Sequence, residues 1–344
     1  MSAPSVLIVG GGLAGIAAAV RASEGGCRVT LLEARARLGG RASSFDAETG
    51  VLIDACQHVL LRCCRNLIDL LARLGTLGQV EWFDALWLMH RDRTRTRLRA
   101  TPLPPPLHLL GAIDGSAWLT WAERCRLARA LLALITLGRN GRERCAHMTF
   151  RDWLACHGQS QRLIDRFWNL IGVSALNETA ERSSAAYAAQ VFQESLLARA
   201  DASELGIASV PLAELYAPLP ALLEQRGGSV QLATPAAAFE FDGERITGVR
   251  LRDASQRRAD HYVAAVPFDG LARLAPPALV RADPRLSHLH ELRHSPILSI
   301  HLCCGRRSST CRSSHSSTRP CIGCSASRAA AASTWCWWYP PRAH

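Results

Sequence analysis

Residues 5–15 read Ser-Val-Leu-Ile-Val-Gly-Gly-Gly-Leu-Ala-Gly, and the predicted fold class follows from this segment. Its first five residues are an apolar run rich in branched side chains, which predicts a buried parallel strand. After the glycines, residues 16–22 are alanine-rich and free of helix breakers, as is typical of a helix. Residues 27–32 predict a second strand that ends at Glu33. The order strand, helix, strand is the opening of an α/β fold with a parallel sheet.

The glycines have the spacing of a loop that binds a dinucleotide. Gly10 allows a tight turn, Gly12 lets backbone amides approach a pyrophosphate, and Gly15 lets the helix pack close to the strand. Leu13 and Ala14 complete the predicted binding loop at the start of the helix. The alternative is a glycine-rich turn in an unrelated βαβ unit.

Glu33 ends the second predicted strand, where a carboxylate can accept hydrogen bonds from both hydroxyls of an adenosine ribose. An acid at this position disfavours a 2′-phosphate, so the sequence argues against NADP. Strand, glycines, helix, strand and acid therefore occur in the order that a dinucleotide site requires.

The segment after Glu33 reads Ala-Arg-Ala-Arg-Leu-Gly-Gly-Arg. Gly39 and Gly40, with Arg41 and Arg35, offer a second contact for an extended diphosphate, which favours FAD over NAD. The alternative is that Arg35, Arg37 and Arg41 form a solvated charged turn.

Composition removes several function classes. The chain has 344 residues, 48% of them apolar, and all 40 basic residues are Arg, so a lysine nucleophile or Schiff-base lysine is excluded. Six arginines and no acid lie in residues 303–344, so the net charge of +11 leaves +5 for the rest. The rest of the chain has no basic stripe with interleaved aromatic residues, so the sequence does not predict nucleic-acid binding. The seven cysteines outside that segment lack paired zinc spacing, so we expect no metal.

Periodicity predicts an interrupted nucleotide-binding domain. Leucines at 67, 70, 71 and 74 lie on one helical face, and residues 120–138 and 149–200 look helical as well. Short strand candidates then follow from residue 229, with Asp242-Gly243 as a hairpin turn. The predicted parts are an FAD-binding domain (1–74 and 206–270), a mainly helical substrate domain (75–205, with a return at 271–302) and an atypical tail (303–344).

The tail, residues 303–344, shows neither helical nor strand period and is overabundant in Ser and Cys. A shift of reading frame near codon 303 is our hypothesis for this change. The genomic DNA tests it, because it predicts an open frame that encodes an ordinary alternating sequence.

The motifs resemble those of the flavin-dependent amine oxidase and carotenoid desaturase superfamily, and most closely the hydroxysqualene dehydroxylase family. The resemblance covers residues 4–302. Beyond the segment from Glu33 to Arg41, it is carried by these strings: Ile53-Asp54, Gln57-His58-Val59-Leu60-Leu61, Phe167-Trp168, Val173-Ser174-Ala175-Leu176-Asn177-Glu178, Val210-Pro211-Leu212 and His294-Ser295-Pro296-Ile297.

The resemblance implies FAD, an amine-oxidase-type fold and a polyisoprenoid substrate, with reductive removal of the hydroxyl group of hydroxysqualene to give squalene. It places residues 56–59, including Gln57, near the flavin ring, and it places the backbone of Ala236, in the strand after Gly228, near the adenine. The chain departs from the family at Cys56 and Arg62, where glycine is usual, and at Cys64, where tyrosine is usual. These departures and the tail motivate the alternative of a truncated, inactive homologue that at most binds nucleotide. A second alternative is another amine oxidase or desaturase.

His58 is the candidate catalytic acid, because the charge of a histidine changes near neutral pH. The alternative is a histidine held by hydrogen bonds within a cofactor loop.

The arginine-rich segment 120–144 suggests peripheral contact with anionic lipid at the inner face of a membrane, although a solvated arginine face has the same pattern. Without a signal peptide or a long apolar run we expect a cytoplasmic protein. The sequence leaves the oligomeric state open.

Overall fold

The computed structural model describes residues 3–47, 52–56, 58–89, 95–109, 119–295, 297–300, 324–327 and 335–336. These residues belong to two compact units: a first unit within 1–58, 65–81 and 208–294, and a second unit within 59–64, 82–207 and 295–344. In chain order the strands are β1 (Ser5–Val9), β2 (Arg28–Leu32), β3 (Ser44–Asp46), β4 (Leu52–Asp54), β5 (Leu60–Leu61), β6 (Val80–Phe83), β7 (Ala85–Met89), β8 (Arg95–Arg99), β9 (Leu205–Ala208), β10 (Ser229–Gln231), β11 (Ala236–Phe241), β12 (Ile246–Leu251), β13 (Gln256–Arg257), β14 (His261–Ala264), β15 (Ile297–Ile300), β16 (Cys324–Ser327) and β17 (Trp335–Cys336).

The α-helices are α1 (Leu13–Glu24), α2 (Arg65–Arg73), α3 (Trp121–Leu137), α4 (Phe150–Cys156), α5 (Gln161–Leu163), α6 (Asn169–Leu176), α7 (Ala185–Phe192), α8 (Leu219–Glu224), α9 (Phe268–Leu274), α10 (Pro277–Ala282) and α11 (Pro284–Ser287). Two π-helical stretches, Ile164–Trp168 and Gln193–Leu197, continue α5 and α7.

A four-stranded parallel sheet forms the centre of the first unit, in the order β10-β2-β1-β14. The predicted strand, helix and second strand are confirmed as β1, α1 and β2. Val9 is paired with Leu32, so both strands end at the same edge of the sheet. This register brings Gly10 and Glu33, the next residues of the two strands, to one place.

The core of the first unit lies against this sheet. Leu7, Val9 and Leu32 pack with Phe239 and Val249 of the antiparallel sheet β11-β12-β13. The predicted hairpin between β11 and β12 is confirmed: the Asp242 carboxylate accepts hydrogen bonds from two following backbone amides at 2.9 Å, and Gly243 has a φ of 108°.

The core of the second unit is helical and aromatic. Trp168 is completely buried, with its ring centroid 4.8 Å from that of Phe192 and 5.6 Å from that of Phe150, both in edge-to-face geometry. The Trp168 indole N–H donates to the Gln159 side-chain oxygen at 3.1 Å. Residues 120–138 and much of 149–200 are helical, as predicted.

Three sequence expectations differ from the structure. The segment 75–205, predicted to be largely helical, contains β6, β7 and β8. The strands β7 and β8 pair in antiparallel register, and the five residues of β7 are all apolar, a short run that periodicity alone does not distinguish from part of a helix. Residues 271–294 lie in the first unit rather than in a returning substrate domain, because Leu271 and Leu274 of α9 pack around Phe239. Most of the tail lies outside the described residues, but β16 and β17 form a sheet with β15, since strand pairing through the backbone needs no side-chain period.

The helix α3 begins with a capping box. The Glu123 carboxylate accepts from the backbone N–H of Thr120 at 2.8 Å, and the Thr120 hydroxyl accepts from the backbone N–H of Glu123 at 3.3 Å. Arg162 donates to the same carboxylate at 2.8 Å. The backbone hydrogen bond from Thr120 is the largest cause that holds the pKa of Glu123 below its ordinary value of 4.5.

We expect Glu123→Gln to lower the free energy of unfolding by about 1–2 kcal/mol at pH 7, since it weakens a cap and an ion pair. A carboxyl group whose pKa is lowered by folding stabilises fully above its ordinary pKa and loses that effect as the pH falls through the lowered value. The difference from the unchanged protein should therefore shrink below pH 4.5 in denaturant titrations. Glu143→Gln, at an exposed position nearby, is the control and should show no such pH-dependent difference.

Candidate functional site

The loop between β1 and α1 needs glycine at two of the predicted positions. Gly10 has a φ of 109°, and a Cβ there would lie 2.5 Å from the backbone oxygen of Ala265. A Cβ on Gly15 would lie 1.8 Å from the backbone oxygen of Gly10. The loop and the helix are therefore in contact through backbone atoms, as predicted from the spacing.

The N-terminus of α1 is open at Gly12. Gly12 is the N-cap and supplies no side-chain cap, and the nearest atom to a Cβ built on it is 4.0 Å away, the Cα of Gly40. The first hydrogen bond of the helix runs from the amide of Ile16 to the oxygen of Gly12 at 2.9 Å. The amides of Leu13, Ala14 and Gly15 come before this bond, at the positive end of the helix dipole. This arrangement fits the pyrophosphate of a dinucleotide.

Glu33 is buried at the same edge and faces the glycine loop. Its two carboxylate oxygens accept from the amide of Gly11 at 2.7 Å and from the amide of Arg35 at 2.8 Å. Each oxygen keeps a further lone pair, so the carboxylate can still accept from ribose hydroxyls. The space beside Gly12 at the N-terminus of α1 is open, and the Glu33 carboxylate points toward the glycine loop.

The second pair of glycines packs directly on the first loop. The amide of Gly39 donates to the oxygen of Gly11 at 2.8 Å, and a Cβ on Gly40 would lie 3.0 Å from the Cα of Gly12. Gly39 has a φ of 104°, and a Cβ there would lie 2.7 Å from the Tyr216 ring. Tyr216 is buried, and burial raises the pKa of its phenol to about 12. Sequence reasoning missed this residue, because nothing in the pattern around it marks a contact 177 positions away.

The three arginines near the loop divide between the two interpretations. Arg37 forms an exposed ion pair with Asp46 at 2.7 Å, which is the solvated-turn alternative. The Arg35 guanidinium donates to the backbone oxygen of Gly40 at 3.3 Å and so lies beside the second glycine pair. Arg41 is exposed.

The segment predicted to lie near the flavin ring is described except for Gln57, which falls outside the described residues. His58 is half-buried, and its Nδ1 lies 2.8 Å from the backbone oxygen of Cys56. A carbonyl oxygen can only accept, so Nδ1 carries the hydrogen and Nε2 is left for a second partner.

Ala236 has a different position from the one expected. It begins β11, the second strand after Gly228, rather than the strand that follows that glycine directly. Ala233, between β10 and β11, adopts a left-handed conformation with a φ of 50°. The backbone that contacts the end of β2 belongs to Ala233 and Thr234, whose amides donate to the oxygens of Arg35 and Glu33.

Four of the sequence segments that carry the family resemblance are joined in pairs by hydrogen bonds. In the first unit, the Asp54 carboxylate accepts from the amide of Leu212 at 2.8 Å and from the Ser44 hydroxyl at 2.7 Å. In the second unit, the Asn177 side chain donates to the Ser295 oxygen at 2.9 Å, and the Ser295 hydroxyl donates to the Asn177 oxygen at 2.8 Å.

The departures from the family pattern are accommodated locally. The described non-glycine residues with left-handed backbone are Asn177, Ala233 and Ala254, so Cys56 needs no glycine-like conformation. Arg62 donates to Glu204 at 2.6 Å, and its guanidinium carbon lies 4.0 Å from the centre of the Trp82 ring. A hydrogen bond from Cys63 lowers the pKa of Cys64.

We expect Glu33→Gln to weaken FAD binding at least about tenfold and to lower the free energy of unfolding by about 1–3 kcal/mol. Two amides donate to this side chain, and a carboxamide has only one oxygen, so one buried N–H would face an NH₂ group. FAD titration of the apoprotein, followed by fluorescence, measures the effect. Glu224→Gln, at an exposed position at the end of α8, is the matched control; equal affinity of both variants would contradict the assignment.

No cluster of three or more metal-ligating side chains occurs within the part of the chain that the structure describes. In the same residues, no helix is both long and apolar enough to cross a bilayer.

Comparison with known families and proteins gives a consistent result. The model of the flavin containing amine oxidoreductase family matches residues 13–330. A probable zeta-carotene desaturase of Synechococcus elongatus is 28% identical over 323 residues, covering 86% of this chain and 65% of its own length. The 15-cis-phytoene desaturase of Solanum lycopersicum is 23% identical over 304 residues, covering 86% of this chain and 52% of its own length.

Solved structures share the fold. An oxidoreductase from Methanosarcina mazei superposes with a TM-score of 0.62 at 15% identity, covering 84% of this chain and 65% of that protein. A putrescine oxidase double mutant superposes with a TM-score of 0.61 at 18% identity, covering 84% of this chain and 63% of that protein. The chain thus spans about half to two thirds of the length of the curated relatives above. These likenesses confirm the predicted α/β fold of the amine-oxidase type.

Proposed function

The chain belongs to the flavin containing amine oxidoreductase family, and on that premise we propose that it is an FAD-dependent oxidoreductase that acts on a polyisoprenoid. The specific reaction that we propose is the reductive removal of the hydroxyl group of hydroxysqualene to give squalene. Membership of the family confirms the flavin cofactor. The substrate and the reaction are the proposal.

The observation that carries the proposal is the glycine cradle of the first unit. An uncapped helix N-terminus at Gly12, the second glycine pair above it and the buried carboxylate of Glu33 lie at one edge of the parallel sheet. The residues present fit FAD: backbone amides would bind the pyrophosphate, and Glu33 would bind the adenosine ribose.

When bound, reduced FAD would supply the hydride that replaces the hydroxyl group on the allylic carbon. The chain's own part is to bind the cofactor and to protonate the leaving group, so that the products are squalene and water. We assign the proton to Nε2 of His58. The Cys56 oxygen fixes the hydrogen on Nδ1, so the imidazolium form donates from Nε2 and the neutral form that remains is the correct tautomer.

A polyisoprenoid substrate is supported by the matched relatives, whose names describe desaturases of zeta-carotene and 15-cis-phytoene. The same observation favours a second candidate, oxidative desaturation of a carotenoid. A lipid-like substrate also accords with peripheral contact between this protein and a membrane, which we include in the proposal.

Purified full-length protein tests the function. We expect bound FAD in the absorbance spectrum and, after anaerobic reduction, conversion of hydroxysqualene to squalene detected by mass spectrometry. Desaturation of a carotene by the oxidised protein would favour the second candidate. Colourless protein that binds a nucleotide but turns over neither substrate would establish an inactive homologue.

His58→Gln addresses the acid directly. We expect turnover to fall about a hundredfold while the FAD content is unchanged, since the glutamine lacks an ionisable group. Turnover equal to that of the unchanged protein would leave His58 with a structural role only.

A further inference from the structure

The buried ring of Tyr216 packs against the second glycine pair. It fills the space of a side chain at Gly39, because a Cβ there would lie 2.7 Å from the ring atom Cε2 and 3.0 Å from Cδ2. Gly39 in turn donates its amide to the oxygen of Gly11 at 2.8 Å. A Cβ on the next residue, Gly40, would lie 3.0 Å from the Cα of Gly12. The ring is therefore linked to the first glycine loop through the second glycine pair.

Hydrogen bonds from outside the glycine segments hold this ring in place. The ring belongs to the last residue of a short 3₁₀ helix, Leu212–Tyr216, in the first unit. The amide of Leu212 donates to the Asp54 carboxylate at 2.8 Å, which anchors the beginning of the helix. Near the end of the helix, the oxygen of Leu215 accepts from the Thr76 hydroxyl at 3.0 Å, in a buried contact. Because the backbone that carries the ring is anchored at both ends, the ring is a fixed surface for the glycines to pack on.

The Tyr216 phenol is uncharged at neutral pH. Burial is the main cause that raises its pKa to about 12, and the nearby Asp54 carboxylate acts in the same direction. A negative charge beside the glycine pair would oppose the binding of a pyrophosphate. A neutral ring supports the pair without adding such a charge.

We propose that Tyr216 is a positioning residue for FAD, whose ring sets how closely the second glycine pair approaches the N-terminus of α1 and so shapes the cradle that receives the pyrophosphate. Groups that bind a ligand must be held to within about 0.5 Å of the productive geometry, usually by packing against residues behind them. Tyr216 supplies that packing for Gly39 and Gly40. This role concerns the cofactor of the family and depends on no particular substrate or reaction.

FAD titration of the full-length apoprotein, followed by fluorescence, tests this role. We expect Tyr216→Leu to bind FAD at least about tenfold more weakly, because the gap left by the ring lets Gly39 and Gly40 move away from the first loop. Tyr216→Phe keeps the ring and should bind FAD within about twofold of the unchanged protein.

Phe239→Leu is the matched control. Phe239 is also a buried aromatic residue of the first unit, 5% exposed, but it packs beside Val249 in the hydrophobic core and is not among the atoms nearest to Gly39. Both leucine variants should melt at a lower temperature than the unchanged protein, since each leaves a cavity. When FAD is titrated below the onset of melting, only the Tyr216 variant should also lose affinity.

If Tyr216→Leu does not fold, Tyr216→Met carries the same expectation, since a methionine fills the gap with a flexible chain and without a rigid ring. Unchanged FAD affinity in the folded variant would overturn the proposal. An equal loss in Phe239→Leu would do so too, because any loosening of the first unit would then release FAD. An equal loss in Tyr216→Phe would show instead that the hydroxyl group binds the cofactor directly, which also overturns the positioning role. Each titration uses FAD without substrate, so its failure is distinguishable from a failure of the proposed reaction.

Discussion

Gly15→Ala is expected to yield protein without FAD and with a free energy of unfolding lower by about 3 kcal/mol or more. The added Cβ would lie 1.8 Å from the oxygen of Gly10, a backbone atom that cannot rotate away. To make room, α1 must move from β1, and the amides that face the pyrophosphate then move with it. Absorbance of the purified protein and denaturant titration measure the two effects.

Gly172→Ala is the control for this substitution. Gly172 also lies within a helix, α6, but a Cβ there would have no atom within 4 Å outside its own helix. Alanine is the better helix former, so this variant should be as stable as the unchanged protein or more stable by up to about 1 kcal/mol. FAD retained in full by Gly15→Ala would mean that the close contact between loop and helix is dispensable.

Trp168→Ala is expected to lower the free energy of unfolding by about 3–5 kcal/mol. The side chain is completely buried and packs edge-to-face on Phe150 and Phe192, so truncation leaves a cavity that these rings do not fill. It also removes the indole N–H that satisfies the oxygen of Gln159. Calorimetry or denaturant titration, followed by the helical signal, gives the size of the loss.

Trp121→Ala is the matched control, because it removes the same side chain from a position that is 75% exposed. We expect its stability to lie within about 0.5 kcal/mol of the unchanged protein. If both tryptophan variants lost similar stability, the buried aromatic cluster could not be the centre of the second unit's core.

The sequence predicted local features whose cause is local. The run of residues 5–15 encodes a strand, a turn that needs glycine and a helix, and each of these depends on neighbours in the chain. The glycines at 10, 15, 39 and 40 were likewise identified from the sequence, and at each of these positions an added Cβ would lie 3.0 Å or less from a neighbouring atom. The position of Glu33 beside the glycine loop followed from its place at the end of a strand, and its binding of the ribose stays a prediction.

Other features depend on residues far apart in the chain, and sequence reasoning did not find them. Arg62 looked like a harmful departure from the family, but Glu204, 142 positions later, pairs with it. The strands β7 and β8 were missed because a helical interpretation was extended over a short apolar run, which periodicity alone does not identify as a strand. Ala236 was placed in the strand after Gly228, which is β10, whereas it begins the following strand, β11.

The hydrogen bond from the amide of Gly11 to Glu33 has a consequence for attempts to re-engineer cofactor choice. Glu33, which we propose selects between an unmodified and a phosphorylated ribose, also accepts the hydrogen bond that holds the turn in place. Exchanging it to admit NADP would leave the amide of Gly11 without its acceptor, and Gly10, Gly15 and Gly39 have no space for a compensating side chain. A successful redesign must therefore supply a new acceptor for that amide from elsewhere, before specificity can change.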